Sequence, residues 1–408
     1  MKQPQPISVL SFPALEPYRR DLARCVRCGV CASVCPSFLA VHQESLSARG
    51  RIALIDAVLD NRLHASAIFA DRLATCTTCL ACEAACPSNV PVAAIIQAAK
   101  ADAVRSAGRG LISRFAAAAL ASNSAMRSLA WLAPIVLRYG KSGVGDPGSK
   151  ISDFGAVNEK EKDPGSRGRI AFYPGCAIKY FHQDIGRSSV AVLERAGYEV
   201  IVLDDAACCG RPFLSLGDQA AARAAAERNQ QHFASLGVDM VVTSCASCGL
   251  TFKQEYPEQL APSEAVSVPV RDIHEVLAGC IPELALGTLT QQVTWHEPCH
   301  LGRGQGLAKT ARTVLGSIPG IRITEMENPD RCCGFGGIMR IGHHDLSNSI
   351  GDAKANDIIK TNTQIVVTGC PGCRMQLADS LKRAGSGAVV LHTVQVVEEA
   401  MKKNECQG

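Results

Sequence analysis

The chain has 408 residues and twenty cysteines, and eighteen of these fall into four groups. Two groups are compact and share the form C-x2-C-x2-C-x3-C-P. "CVRCGVCASVCP" supplies Cys25, Cys28, Cys31 and Cys35 before Pro36, and "CTTCLACEAACP" supplies Cys76, Cys79, Cys82 and Cys86 before Pro87. The other two groups are spread out, and each contains a vicinal pair followed by glycine: Cys176, Cys208, Cys209, Cys245 and Cys248, then Cys299, Cys332, Cys333, Cys370 and Cys373. Cys280 and Cys406 stand alone and read as ordinary thiols. Disulfide scaffolds are a device of short secreted chains, so this cysteine content points to metal or redox chemistry.

In the compact groups, three thiolates at strict x2 spacing wrap one corner of a four-iron cubane, and the fourth, before proline, reaches a second cluster. The expected ligation is therefore crossed. Cys25, Cys28, Cys31 and Cys86 would hold one cluster, and Cys76, Cys79, Cys82 and Cys35 the other. Paired four-cysteine zinc sites are the alternative, but they do not call for the third x2 thiolate or the closing x3-C-P. Two adjacent cubanes carry electrons; no residue is assigned a catalytic role.

The vicinal pairs pose a geometric problem, because adjacent side chains point to opposite faces of a strand or about 100° apart on a helix. Gly210 and Gly334 follow the pairs directly and allow a positive-φ turn that brings both thiols to one point. The pairs Cys245/Cys248 and Cys370/Cys373 follow apolar strands and open helices, where backbone N–H groups favour thiolates. Cys176 and Cys299 also end strands. Five sulfurs from three strand ends are thus expected at the carboxyl edge of one sheet in each copy. Vicinal disulfides would leave three cysteines of each set without a role, and a four-cysteine zinc site in one or both copies is a further alternative. His296 and His300 flank Cys299 as ligands, proton donors or hydrogen-bonded structural histidines, the structural reading being preferred.

The elements that must position these groups change character along the chain. Between the compact blocks lies a helix-like stretch, "ESLSARGRIALIDAVLDNRLHASAIFADRLA". A second helical region, Leu111 to Gly140, is interrupted by Arg114, Arg127, Pro134 and Arg138, which argues against a bilayer span. It reads as a helical hairpin between domains, with a basic amphipathic surface as the alternative. A Gly-, Ser- and Asp-rich linker follows. Beyond it, "RIAFYPGC", "YEVIVLDD" and "VDMVVTSC" read as buried strands, and the order recurs in "QVTWHEPCH", "IRITEME" and "QIVVTGC". "LGDQAAARAAAERNQQHFASLG" and "HHDLSNSIGDAKANDIIKT" read as the helices that precede the third strand of each copy. The cysteine offsets sharpen the duplication, being 32, 33, 69 and 72 in the first copy and 33, 34, 71 and 74 in the second. The predicted fold is a multidomain α+β and α/β chain with mainly parallel sheets in the duplicated units.

Apolar content is 47% and the formal charge is only +4, with no dense basic stripe, so a soluble chain with no nucleic-acid partner is expected. The N-terminus lacks a secretory pattern, so a cytoplasmic location is expected, with peripheral contact at the inner face of the cytoplasmic membrane left open.

The compact blocks resemble dicluster ferredoxin domains, and "SARGRIALI" resembles the segment between the two motifs in iron–sulfur subunits of flavin-linked glycolate and lactate dehydrogenases. The repeated C-xn-CCG-xm-C-x2-C pattern resembles the cysteine-rich CCG domain family. That family includes subunits of heterodisulfide reductase, a subunit of the anaerobic glycerol-3-phosphate dehydrogenase and the glycolate oxidase iron–sulfur subunit. The resemblance covers nearly the whole chain, and together with the composition shifts it gives five parts: a dicluster [4Fe-4S] ferredoxin domain at 1–105, a helical connector at 106–140, a linker at 141–168, and CCG domains at 169–285 and 286–408. It also implies two [4Fe-4S] cubanes and one or two further, non-cubane [4Fe-4S] clusters held by the CCG cysteines. Both CCG sets are complete, whereas many glycolate oxidase iron–sulfur subunits lack one cysteine of the last pair.

No flavin or nicotinamide fingerprint is visible; "HLGRGQGLAKT" has glycines but not G-x-G-x-x-G spacing. The reading is an electron-transfer subunit of a flavin-dependent 2-hydroxy acid dehydrogenase, with glycolate the leading substrate. Electrons would pass from FAD on a partner subunit to a quinone or other carrier. Two alternatives stand beside it: a heterodisulfide-reductase-type subunit that reduces disulfides at the CCG clusters, and a zinc-stabilised scaffold.

Overall fold

The computed structural model describes residues 12–108, 165–260 and 268–405, with a few isolated positions between 114 and 128. The connector and linker expected over 106–140 and 141–168 lie outside the described residues apart from their edges and those positions, as does Cys406.

The N-terminal region is helical throughout. The helix-like stretch between the compact blocks is two helices, Ala48–Leu59 and Ala67–Ala74, broken where Asn61 takes φ 56°. Each begins on a serine whose Oγ accepts a backbone N–H: Ser47 from Gly50 at 2.8 Å and Ser66 from Phe69 at 3.2 Å. With Val92–Ala107 they bury Ile52, Ile55, Leu73, Ile95 and Ile96 in one core.

The remainder is two α/β units of identical topology. β1 (Gly168–Phe172), β2 (Tyr198–Val202), β3 (Met240–Thr243) and β4 (Val270–Asp272) form a parallel sheet in the order β2-β1-β3-β4. β5 (Gln291–His296), β6 (Ile321–Ile323), β7 (Ile365–Thr368) and β8 (Val389–His392) repeat it as β6-β5-β7-β8. "MVVT" and "IVVT" are apolar runs because a central parallel strand is covered on both faces. The expected helices are present as Gln219–Ser235 and His344–Ile359. The fourth strand of each sheet, β4 and β8, escaped the sequence reading. Each is only three or four residues long and runs directly into a helix, so its apolar run merges with the helical pattern.

The two units share one interior, while the other face of the first sheet packs its own cluster around Tyr173, Phe233, Phe252 and Tyr256. One hydrophobic core runs from Ile170 and Val200 through Trp295 and Leu315 to Val397 and Met401. The helical region docks against the second unit through Leu46, which packs among Met339, Leu346 and Ile350.

Candidate metal centres

The compact loops fold alike. Residues two and four positions after the first cysteine turn left-handed in both: Arg27 (φ 56°) and Gly29 (86°), then Thr78 (51°) and Leu80 (63°). This curls three thiols around one point, and the fourth comes from the other loop. Cys25, Cys28, Cys31 and Cys86 line one small cavity, and Cys35, Cys76, Cys79 and Cys82 line another. These are the crossed sets the spacing predicts. Cys28 is exposed, whereas Cys35 and Cys79 are buried. Burial pushes the Cys82 thiol well up, and the neighbouring Cys79 and Cys76 add to the effect. Such packing of like groups is relieved when a cation takes up their charge.

In the α/β units every cysteine of the extended sets follows the carboxyl end of a strand. Cys176 follows β1, Cys208 and Cys209 follow β2, and Cys245 and Cys248 follow β3; Cys299, Cys332/Cys333 and Cys370/Cys373 stand in the same relation to β5, β6 and β7. Gly210 and Gly334 adopt φ 93° and 86°. A Cβ on Gly334 would lie 2.6 Å from Ser347 O, so the turn admits no side chain there. Among the described residues the vicinal cysteines are free thiols. In each doublet the second cysteine is pulled below the ordinary thiol range. Cys209 is held down by Cys208, Cys248 and the Arg211 N–H, and Cys333 by Cys332, Cys373 and the Phe335 N–H.

The two sets do not form isolated sites. Nine of the ten cysteines line a single cavity of about 130 Å³ between the units. Cys208 is set back from it, touching Cys176 and Cys209. Cys245 of the first set is in hydrogen-bond contact with Cys370 of the second, and Cys333 Sγ lies 3.5 Å from Cys373 Sγ. Cys332 in turn contacts Cys79 of the helical region. A continuous path of thiols thus joins both α/β units to one ferredoxin-type set. Sequence reasoning placed the sets separately; the signal for their meeting is the duplication itself, since two like units can face each other through the same edge.

Polar groups lock this junction. Buried Arg211 pairs with Glu255 and donates to Thr78 Oγ1 at 2.6 Å, and Arg303 Nε donates to Cys79 O at 3.0 Å. The His300 Nε2–H donates to Thr78 O at 3.1 Å, and Ser247 Oγ donates to Nδ1 at 2.9 Å. Burial takes His300 down to about 4, so it is a neutral, hydrogen-bonded structural histidine. His296 is different. It is fully buried, both ring nitrogens lack a partner, and it groups with the Cys333 and Cys373 sulfurs within 4.8 Å. Cys280 is a core thiol that donates to Val276 O at 3.1 Å. No helix of the described residues is long and apolar enough to cross a membrane.

The thiols present have the number, softness and clustering that four-iron clusters require. Comparison with known proteins agrees with this. The 4Fe-4S dicluster domain family matches residues 21–90, and the cysteine-rich (CCG) domain family matches 170–253 and 293–378. A subunit of the fumarate reductase (CoM/CoB) of Methanothermobacter marburgensis is 32% identical over 392 residues, covering 93% of this chain and 73% of that one. The probable glycolate oxidase iron–sulfur subunit of Bacillus subtilis is 30% identical over 423 residues, covering 93% of this chain and 94% of that one. A subunit of the dihydromethanophenazine:CoB–CoM heterodisulfide reductase of Methanosarcina barkeri is 26% identical over 421 residues, with coverage of 93% and 94%. The chain therefore belongs to the family of oxidoreductase iron–sulfur subunits that join a 4Fe-4S dicluster domain to two CCG domains, the family of the glycolate oxidase iron–sulfur subunit.

Proposed function

We propose that this chain is the electron-transfer subunit of a flavin-dependent 2-hydroxy acid dehydrogenase, with glycolate as substrate of a partner that carries FAD. In this reading Cys25, Cys28, Cys31 and Cys86 hold one cubane and Cys35, Cys76, Cys79 and Cys82 the other. The extended sets Cys176/Cys208/Cys209/Cys245/Cys248 and Cys299/Cys332/Cys333/Cys370/Cys373 hold the further clusters. Bound clusters would supply one-electron carriers. The contact between Cys79 and Cys332 carries the reading, because it joins one ferredoxin-type set to the CCG cavity without a gap. Arg211, Arg303 and His300 hold the Thr78–Cys79 loop against that cavity. The higher identity to the Bacillus subtilis protein, 30% against 26% for the heterodisulfide reductase subunit over the same share of both chains, supports the glycolate assignment.

The test is reconstitution with the flavoprotein recovered by pull-down of the native complex. Glycolate should bleach the partner's flavin with or without this chain, and reduction of a quinone or dye should need the chain. Acceptor reduction by the partner alone, at the full rate, would contradict the proposal.

A second reading is favoured by one observation: both five-cysteine sets are complete and face one shared cavity that has Arg211, Pro298 and Phe335 in its wall. That leaves room for a small disulfide, with thiol or disulfide chemistry at the cavity. Reduction of a disulfide by this chain, with a reduced viologen dye as electron donor and no flavoprotein present, would establish it.

A further inference from the structure

The two ferredoxin-type sets differ in the charges around them. Arg51 is 1% exposed. Its Nε donates to Arg72 O at 2.9 Å, its Nη2 donates to Ser37 Oγ at 2.9 Å and to Thr75 Oγ1 at 2.6 Å, and its Nη1 lies 3.9 Å from Cys35 Sγ. Lys100 is 6% exposed and within electrostatic reach of Cys76. Among the described residues neither cation meets a carboxylate. Glu83, whose charge reaches Cys82, is turned to the Ala93 N–H. At the other set the cations are Arg27 and Arg49, whose side chains are 67% and 38% exposed and already paired with Asp56 and Glu44. Exposed pairs are screened and add little field, whereas a buried cation without a counter-charge is costly unless an anion sits beside it. Among the described residues, the concentration of negative charge that Arg51 and Lys100 face is at the thiolates of Cys35 and Cys76.

We propose that Arg51 and Lys100 are built-in counter-charges for the cluster held by Cys35, Cys76, Cys79 and Cys82, and that they make it the more easily reduced of the two. An electron entering the helical region therefore settles beside Cys332, at the mouth of the shared cavity. Adding an electron makes a cluster more negative, so fixed positive charge nearby favours the reduced form. The inference rests on the reading that both crossed sets hold clusters.

The test is an EPR-monitored redox titration of the anaerobically purified full chain, with the two signals assigned through Cys28→Ser and Cys82→Ser. The Cys35/Cys76/Cys79/Cys82 cluster should take up its electron first. Arg51→Gln should lower its reduction constant by about tenfold or more, about 59 mV for one electron, while the other cluster moves by less than about twofold. Arg51→Lys should restore most of the loss, which a purely structural role in holding Arg72 O and Thr75 would not produce. Lys100→Met should shift the same cluster in the same direction and covers the case in which Arg51→Gln fails to fold. Both signals present with unmoved midpoints, or equal shifts in both clusters, would overturn the inference alone. Absence of both signals would overturn the cluster assignment and the inference with it.

Discussion

The two α/β units share strand order, five cysteines and the glycine turn after the vicinal pair, yet their surroundings have diverged. Three residues before the first cysteine, the first unit has Tyr173. Its hydroxyl donates to Ala207 O at 2.7 Å, and its ring meets Phe252 edge-on at 4.8 Å. The second unit has His296 there, with no hydrogen-bond partner on either nitrogen. The first unit grips the helical region through buried Arg211, which pairs with Glu255 and reaches Thr78, while the second holds it through His300 to Thr78 O, Arg303 to Cys79 O and the packing of Leu46, and also meets it thiol to thiol, Cys332 to Cys79. Duplication has kept what gathers sulfur and varied what surrounds it. In this arrangement Cys332 of the second unit meets the ferredoxin-type set that contains Cys79, and the thiols of the first unit join those of the second through Cys245 and Cys370.

Breaking the contact that separates the units should have the largest effect. Cys79→Ser should remove one cubane signal and drop electron delivery to the acceptor to background, measured by EPR and acceptor reduction in the reconstituted complex. Equal acceptor rates with and without this cluster would place electron entry elsewhere. Next comes the docking of the helical region. Arg211→Met strands the buried Glu255 carboxylate and should cost about 3–5 kcal/mol in denaturant unfolding. Arg303→Met removes a hydrogen bond to Cys79 O and a half-exposed pair with Asp330, and should cost about 1–2 kcal/mol. A reversal of that order would mean that the Arg303 contact to Cys79 O outweighs the buried Arg211–Glu255 pair. The smallest effect separates Tyr173 from His296. Tyr173→Phe loses one buried hydrogen bond, about 1 kcal/mol, whereas His296→Leu, close to His in volume, loses no hydrogen bond within the protein and should cost less than Tyr173→Phe.

Much of this was legible in the sequence because cysteine spacing is a direct record of geometry. The C-x2-C-x2-C-x3-C-P runs specify loops that curl three thiols together, and the crossed groups line their cavities accordingly. The duplicated offsets specify two like sheets, and the strand ends carry the cysteines as the order of elements requires. Three features had no local signature. β4 and β8 are short and continue into helices, so periodicity does not mark them. The shared cavity depends on how one unit packs on the other, through side chains such as Trp295 and Val397 that read only as core. Arg51 and Lys100 look like surface residues of amphipathic helices, and their burial follows from the thiols and carbonyls they face in the folded chain.

The central claim, that the extended cysteine sets hold clusters as the compact ones do, is tested most directly by iron content and EPR of the anaerobically purified chain beside its Cys209→Ser and Cys333→Ser variants. Four complete thiolate sets predict about sixteen iron atoms per chain. Each variant should lose the signal of its own CCG set and keep both cubane signals. About eight iron atoms, with spectra that neither substitution alters, would show that the vicinal cysteines bind no iron and contradict the account.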